Sequence, residues 1–312
     1  MLPALIVFFA ALAVLMLSSR IVIDKSIKIS EYLGISQLAV GFILIAITVS
    51  LPDLVVSVMA SYSGSPEMGV GDALGSTVAN ICLVLGIVTL VRRINVERRH
   101  VLDSTELLLL IGAVPAIFLV LGTMGRIEGV VLLVLFLIYC FFIIRGNFSL
   151  KIKDGVSHRD IGKTVFLFFI SLAVVMLSSG FVVGSAGEVA LAFGFGEAVL
   201  GLTLISFGTT LPELAVDFAA VRRGQTALAI GDILGSSVVN LTLVLGSVLV
   251  INPLKESVSV FTLAIAFVII SNTFLFYSLV KHEGIGKKQG IVFILMYVLF
   301  IIMSLGSRAI SG

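Results

Sequence analysis

Apolar residues fill ten long stretches of this chain, separated by short polar breaks. They run at roughly 2–23, 35–61, 68–91, 104–122, 127–145, 162–183, 195–221, 227–250, 258–280 and 289–306. A helix needs about 20 apolar residues to cross the hydrocarbon core of a bilayer, whereas a barrel strand needs about half as many. The pattern therefore predicts an all-α membrane protein with ten transmembrane helices.

The few polar positions inside these stretches say something further, because they occur twice. Gly41-Phe-Ile-Leu-Ile-Ala-Ile-Thr-Val-Ser-Leu-Pro-Asp-Leu54 aligns with Gly201-Leu-Thr-Leu-Ile-Ser-Phe-Gly-Thr-Thr-Leu-Pro-Glu-Leu214. Gly71-Asp-Ala-Leu-Gly-Ser-Thr-Val-Ala-Asn80 aligns with Gly231-Asp-Ile-Leu-Gly-Ser-Ser-Val-Val-Asn240. The offset is 160 residues in both, and 20 of the 46 positions from 41 to 86 are identical to their mates. Met16-Leu-Ser-Ser19 returns as Met176-Leu-Ser-Ser179. Ten spans in two copies give five per copy, an odd number, so the second copy is expected to enter the membrane inverted. The expected organisation is a first five-helix repeat at 1–145, a cytoplasmic linker at 146–161 and an inverted second repeat at 162–312. Broken helices near the midplane of an inverted repeat are the mark of a secondary transporter.

Composition agrees: 59% of residues are hydrophobic, 12% are charged, and mean hydropathy is +1.23. A soluble domain carries about 25% charge. The net charge of +2 hides a strong asymmetry. With both termini outside, 16 of the 20 Lys and Arg fall in inside loops, as the positive-inside rule demands. The expected location is the cell (inner or plasma) membrane. Residues 1–23 lack a basic n-region and a small-residue cleavage site, so they do not resemble a cleaved signal. Cys82 and Cys140 lie in different spans without metal spacing. His100, His158 and His282 all fall in inside loops, which argues against the imidazole-ligated transport of zinc or iron. No nucleophile–base pair, P-loop or dinucleotide fingerprint supports an enzyme. No cofactor, nucleic acid or obligate protein partner is expected.

Five of the 18 acidic residues lie at least four residues inside the ends of the expected spans: Asp53, Asp72, Glu213, Asp217 and Asp232. Asp72 and Asp232 lie near a span's end, where partial hydration is expected. An ionised carboxylate in hydrocarbon costs about 2.5–3.5 kcal/mol. No Lys or Arg shares the central portions of these segments, but a cation from solution can offset the cost. Protonated carboxylates packed between helices remain the plainer alternative, above all for Asp72 and Asp232.

Pro52 and Pro212 lack an amide hydrogen, and each ring crowds the carbonyl one turn earlier. The carbonyls of Thr48 and Gly208 should lose their helical partners, and those of Val49 and Thr209 should be disturbed. Such oxygens are tolerated at membrane depth only around a ligand or in a lined cavity. Asp53 and Glu213 follow at once, and Ser50 and Thr210 add hydroxyls. Asp72, Ser76 and Asn80 share one helix face, as do Asp232, Ser236 and Asn240. Gly71 with Gly75, and Gly231 with Gly235, form small-residue stripes that permit close helix approach. Asp217, one turn after Glu213, breaks the symmetry, since its mate is Ser57. The donor set is hard and all-oxygen, which suits Ca2+, with its about 6–8 ligands, and Na+.

These residues resemble the paired alpha-repeats of the calcium:cation antiporter superfamily, the sodium/calcium exchangers. That family carries G-T-S-x-P-E on one helix and G-N-x-x-G-S-x-x-[ND] on the next, once in each half. The resemblance implies that Asp53 and Glu213 are principal ligands and that the carbonyls of Val49 and Thr209 coordinate the ion. It implies hydroxyl ligands from Ser50, Thr210, Ser76 and Ser236, with Asn80 and Asn240 at the middle. The chain departs from the pattern at Thr48-Val49, at the shorter Asp53, at Gly71-Asp72 and Gly231-Asp232, and at Asn240. Asp53, Asn240 and Asp217 are similar to the mitochondrial-type cation/calcium exchanger branch. The resemblance further implies that spans one and six slide across the core to open alternate sides.

The function expected is antiport of Ca2+ against Na+ by alternating access. Two alternatives stay open within the class. A proton could replace sodium among crowded carboxylates, or the divalent ion could be Mg2+ or Mn2+. A passive cation channel is the alternative of another class.

Overall fold

The computed structural model describes residues 2–33, 41–95, 98–147, 158–191, 199, 201–254 and 258–306. Helix α1 is Leu2–Leu33. A π-helical segment, Gly41–Ile45, and a single α turn, Ala46–Val49, lead into α2, Leu51–Tyr62. Helix α3, Pro66–Val78, continues through a π segment, Ala79–Val84, into α4, Leu85–Val91. Helices α5, Arg98–Leu121, and α6, Arg126–Asn147, complete the first copy. The second begins with α7, His158–Leu191. A π segment, Gly201–Ile205, and a turn, Ser206–Thr209, precede α8, Leu211–Arg222. Helix α9, Thr226–Val239, passes through a π segment, Asn240–Val244, into α10, Leu245–Ile251. Helices α11, Thr262–His282, and α12, Lys287–Gly306, end the described chain. Two-residue strands, Ile94–Asn95 and Gly284–Ile285, pair antiparallel between the copies.

Among the described residues five stretches are long and apolar enough to cross a membrane, or six if the bent pair ending in α8 is one span. The expected span 104–122 survives as the shorter apolar helix Thr105–Leu121. The expected span 35–61 is divided at Ser50, and its first residues lie outside those described. Most of the expected linker, 148–157, also lies outside them. Large apolar side chains such as Val120, Ile127, Leu137 and Phe166 point outward. That is the surface a lipid solvent requires and an aqueous one would penalise.

Two helices overrun their apolar stretches. Helix α1 continues to Leu33, well past position 23. There Ile23, Ser26 and Ile29 are buried while Asp24 and Lys28 are exposed. This is helical spacing with one protein-facing stripe. Helix α7 likewise runs past 183. Hydropathy marks where lipid ends, and neighbouring protein holds the helix beyond that point. Helices α1 and α7 pack along each other, and α1 also lies against α8.

The two copies interlock at the centre. Segment 41–45 packs on α9, and segment 201–205 packs on α3. The glycine stripes make this approach possible. A Cβ on Gly75 would stand 2.6 Å from the Leu202 carbonyl oxygen, and one on Gly235 2.7 Å from that of Phe42. Neither copy buries its own acidic helix unaided.

Candidate functional site

The helix breaks fall where the prolines predict. Ser50 and Thr210 interrupt the two central helices, and the second is bent by 46°. Pro52 and Pro212 then occupy the first turn of α2 and α8. A missing amide hydrogen costs little there, since first-turn N–H groups have no intrahelical partner. Asp53 and Glu213 also lie in those first turns, where the positive end of the peptide dipoles favours an anion. The π segments just upstream rewind the approach to each break. Single π turns of this kind concentrate at functional sites.

All thirteen candidate residues are buried: Val49, Ser50, Asp53, Asp72, Ser76, Asn80, Thr209, Thr210, Glu213, Asp217, Asp232, Ser236 and Asn240. For Asp72 and Asp232 this corrects the expectation of partial hydration, because they are only 1% and 0% exposed. The reason is tertiary. Segment 201–205 from the other copy crosses α3 beside Asp72, and segment 41–45 does the same on α9.

Around Asp53 and Asp72 the polar groups form one network drawn from both copies. Ser57 donates to Asp72 Oδ2 at 2.6 Å. Thr209 donates to Asp72 Oδ1 at 3.1 Å. The Ser76 hydroxyl lies 3.3 Å from Asp53 Oδ1, 3.4 Å from Asp72 Oδ1 and 3.3 Å from the Thr209 hydroxyl. Asn240 also lies beside the Asp53 carboxylate. Glu213 is within electrostatic reach of Asp53, Asp232 and Asp72. The two acids that follow the breaks therefore act on each other across the copies.

Around Glu213 the polar groups are mostly unpartnered. Both oxygens of Glu213 are buried without a hydrogen-bond partner, and those of Asp217 and Oδ2 of Asp232 have none beyond the pair that the two acids form with each other. The Ser50 hydroxyl, Asp53 Oδ2 and both amide atoms of Asn80 and Asn240 are also buried without a partner. Asp217 and Asp232 stand side by side. Ser236 donates to Asp232 Oδ1 at 3.3 Å and reaches the Ala46 carbonyl at 3.5 Å. Thr210 donates to the Ser206 carbonyl at 2.6 Å.

Buried carboxylates and amides without partners are costly, and a cation meets the need of the oxygens. Among the described residues no three carboxylate, imidazole or thiol groups converge to cage a metal by themselves. A cation here would draw on one or two carboxylates and complete its shell with hydroxyl, amide and carbonyl oxygens. That is the ligand set of Ca2+ or Na+ and not of a thiolate- or imidazole-bound metal. A separate cleft, lined by Arg20, Phe218, Ala219, Arg222 and Arg223, has the wrong charge for a cation.

Sequence reasoning noted Ser57 only as the mate of Asp217, not as the donor that satisfies Asp72. The signal was present, since Ser57 lies one turn after Asp53 on the same face. Tyr139, buried in α6 with an unpartnered hydroxyl, was missed entirely. It lies outside the duplicated motifs and reads as an ordinary aromatic in an apolar run.

The family model described as "Sodium/calcium exchanger protein" matches residues 3–145 and 163–306. An uncharacterised membrane protein of Methanocaldococcus jannaschii is 31% identical over 297 residues, covering 94% of this chain and 95% of the relative. The inner membrane protein YrbG of Escherichia coli is 34% identical over 248 residues, 76% of each chain. The sodium/calcium exchanger MaX1 of Methanosarcina acetivorans is 24% identical over 96% of this chain and 97% of its own length. A solved structure of the sodium-calcium exchanger NCX_Mj superposes with a TM-score of 0.84 at 28% identity, covering 96% of this chain and 98% of that one.

Proposed function

Because the chain belongs to the sodium/calcium exchanger family, we propose that it is a secondary active antiporter that exchanges Ca2+ for Na+ by alternating access. The observation that carries this reading is the pair Asp53 and Glu213. One acid from each copy follows a helix break, both are buried, and each feels the other's charge. In the proposal they are the principal ligands, with the Val49 and Thr209 carbonyls, the Ser50, Thr210, Ser76 and Ser236 hydroxyls, and Asn80 and Asn240 completing the centre. Ca2+ and Na+ compete for this one set of oxygens. With neither bound, two charges would be left uncompensated in a dry site, so the empty carrier does not readily switch sides. That coupling is what makes exchange obligatory.

In the same proposal the ten expected spans form two inverted five-helix repeats in the cell membrane, with both termini outside. The close packing of α1 on α7 supports reading this pair as the element that slides over the core. Radioactive calcium uptake into vesicles containing the purified protein tests the reading. Uptake is expected to saturate and to require Na+ on the opposite side. Uptake that ignores Na+ but follows an imposed pH gradient would make the counter-ion H+. Uptake that needs no counter-ion would make the protein a channel.

A further inference from the structure

The cation site leaves three arginines unused, and the fold gathers them in one place. Arg20 of α1 and Arg222 and Arg223 at the end of α8 line a cleft of about 240 Å³, together with Phe218 and Ala219. The plainest task for arginine at a helix end is to cap the last carbonyls. Here backbone N–H groups of Arg223, Gly224 and Gln225 already donate to the carbonyls of Ala219, Ala220 and Val221. The Arg222 guanidinium lies 5.8 Å from the centre of the Phe218 ring. Stacking occupies its face and leaves its N–H edges for an anion. Among the described residues one carboxylate is paired at the cleft, that of Asp24, and it goes to Arg223. A fourth guanidinium, that of Arg92, lies against the turn after α8, 2.9 Å from where a Cβ on Gly224 would stand. The cleft holds more positive charge than the protein's own acids use.

Its height along the helices points to the source of the missing anion. Arg20 lies three residues before the end of the apolar stretch 2–23, and Arg222 directly follows the stretch 195–221. Hydrocarbon gives way to head groups at such points. Leu17 and Ile21, one helical turn apart on either side of Arg20, are exposed at 60% and 43%. An acyl chain can lie along that strip, whereas a free phosphate has no use for it. The cleft also belongs to one side only. The positions 160 residues away from Arg20, Arg222 and Arg223 hold Gly180, Tyr62 and Ser63. In the proposed orientation the basic side is cytoplasmic, where the leaflet is anionic. The positive-inside rule asks for basic residues there, but not that they converge on one cleft beside an aromatic ring.

We propose that this cleft binds the phosphate head group of an anionic phospholipid, with Arg20 and Arg222 on the phosphate oxygens and an acyl chain along Leu17 and Ile21. Guanidinium groups present paired N–H donors that match phosphate oxygens. The two arginines sit on different elements, so one head group bridges α1 and α8. It favours the arrangement in which both arginines face it and so restrains movement of α1 over α8. The lipid site stands apart from the exchange reading, whereas the restraint rests on it.

Thermal melting of the purified full chain in neutral detergent tests the site, with phosphatidylglycerol, phosphatidylcholine or inorganic phosphate added. Phosphatidylglycerol is expected to raise the melting temperature saturably, and the other two are not. Arg20→Gln combined with Arg222→Gln should weaken the apparent affinity for phosphatidylglycerol about 30-fold. Lys287→Gln combined with Lys288→Gln removes equal charge from the same side, outside the cleft, and should leave the affinity unchanged. Equal losses in the two double variants, or equal stabilisation by phosphatidylcholine, would reduce the effect to the general surface and overturn the site. Inorganic phosphate acting at the same concentrations would overturn the lipid as ligand. Should the arginine double variant not fold, native mass spectrometry of the parent and of Arg20→Gln decides. Lower retention of phosphatidylglycerol by Arg20→Gln supports the site, and equal retention overturns it. In phosphatidylglycerol vesicles the arginine double variant should take up calcium several-fold faster than the parent, and in phosphatidylcholine vesicles at the parent's rate. Equal rates in both, with binding lost, would overturn the restraint. A parent that takes up no calcium in either vesicle would instead count against the exchange reading.

Discussion

Asp72 and Asp232 hold the same place in two copies of one unit, yet they live in different company. Asp72 accepts hydrogen bonds from Ser57 and Thr209 and lies close to Ser76. Asp232 has a weak bond from Ser236 and shares its place with a second acid, Asp217. The scaffold around both is shared: a π segment, a break before proline, a stripe of small residues. A single change of side chain, Ser57 against Asp217, turns a carboxylate met by a hydroxyl into two acids that face each other. Duplication fixed the frame, and the chemistry then diverged within it.

The strongest way to break this picture is at the acids that the two copies have in common. If the centre uses one from each, Glu213→Gln and Asp53→Asn should have similar effects. Removing one carboxylate from a buried ion site costs about 3 kcal/mol, or roughly 100-fold in affinity. Vesicle calcium uptake should fall to background in both, while gel filtration shows folded protein. A variant of either residue that transports normally would remove it from the ligand set. The next largest effect is expected from the interlock. A side chain at Gly235 or Gly75 would press on backbone of the other copy, at 2.7 Å and 2.6 Å respectively for the first carbon alone. Gly235→Val and Gly75→Val should each lose up to about 3 kcal/mol by overpacking, read as a lower melting temperature and a poor folded yield. If only one of the two suffers, the interlock is not reciprocal.

A finer test separates the copies. Ser57→Ala strips Asp72 of its shortest hydrogen bond and leaves Oδ2 buried without that donor. The cost should be about 1–2 kcal/mol, seen as a fall in melting temperature measured without added cations. Asp217→Ala removes one of two acids that crowd each other in a buried place and should not be destabilising in the same way. Equal losses in the two would erase the distinction between a hydroxyl-satisfied acid and a crowded acidic pair.

How much of this the sequence discloses follows from what each feature requires of its residues. The breaks need proline, the close approach needs glycine, and a buried ion needs acids. Each therefore leaves a letter at a fixed offset in both copies, and Asp53, Glu213, Gly75 and Gly235 could be picked out directly. The π winding of Gly41–Ile45 and Gly201–Ile205 needs no special residue, so no pattern announces it. The full burial of Asp72 and Asp232 comes from segments of the opposite copy, which a local reading of span ends cannot weigh. Helix α1 beyond position 23 is polar enough to look like a loop, and only its packing against neighbouring protein keeps it helical. Tyr139 lies outside the duplicated motifs, and there an aromatic in an apolar helix carries no signal.

The smallest expected effect concerns a second asymmetry, at the edge of the molecule. Arg223, at the end of α8, pairs with Asp24 of α1. The positions 160 residues away, Ser63 and Gly184, cannot form such a pair. This contact ties the helix that carries Glu213 and Asp217 to the helix proposed to slide, again in one copy only. Both partners are well exposed, at 36% and 51%, so water and salt screen them. Such pairs contribute at most about 1 kcal/mol. Asp24→Asn should therefore barely move the melting temperature, and raising the salt concentration should shrink even that difference. If the contact is a latch between states, the same variant should change the rate of calcium uptake more than it changes stability. An unchanged rate would mean that the pair only decorates the surface, leaving Asp217 and Asp232 as the asymmetry that matters.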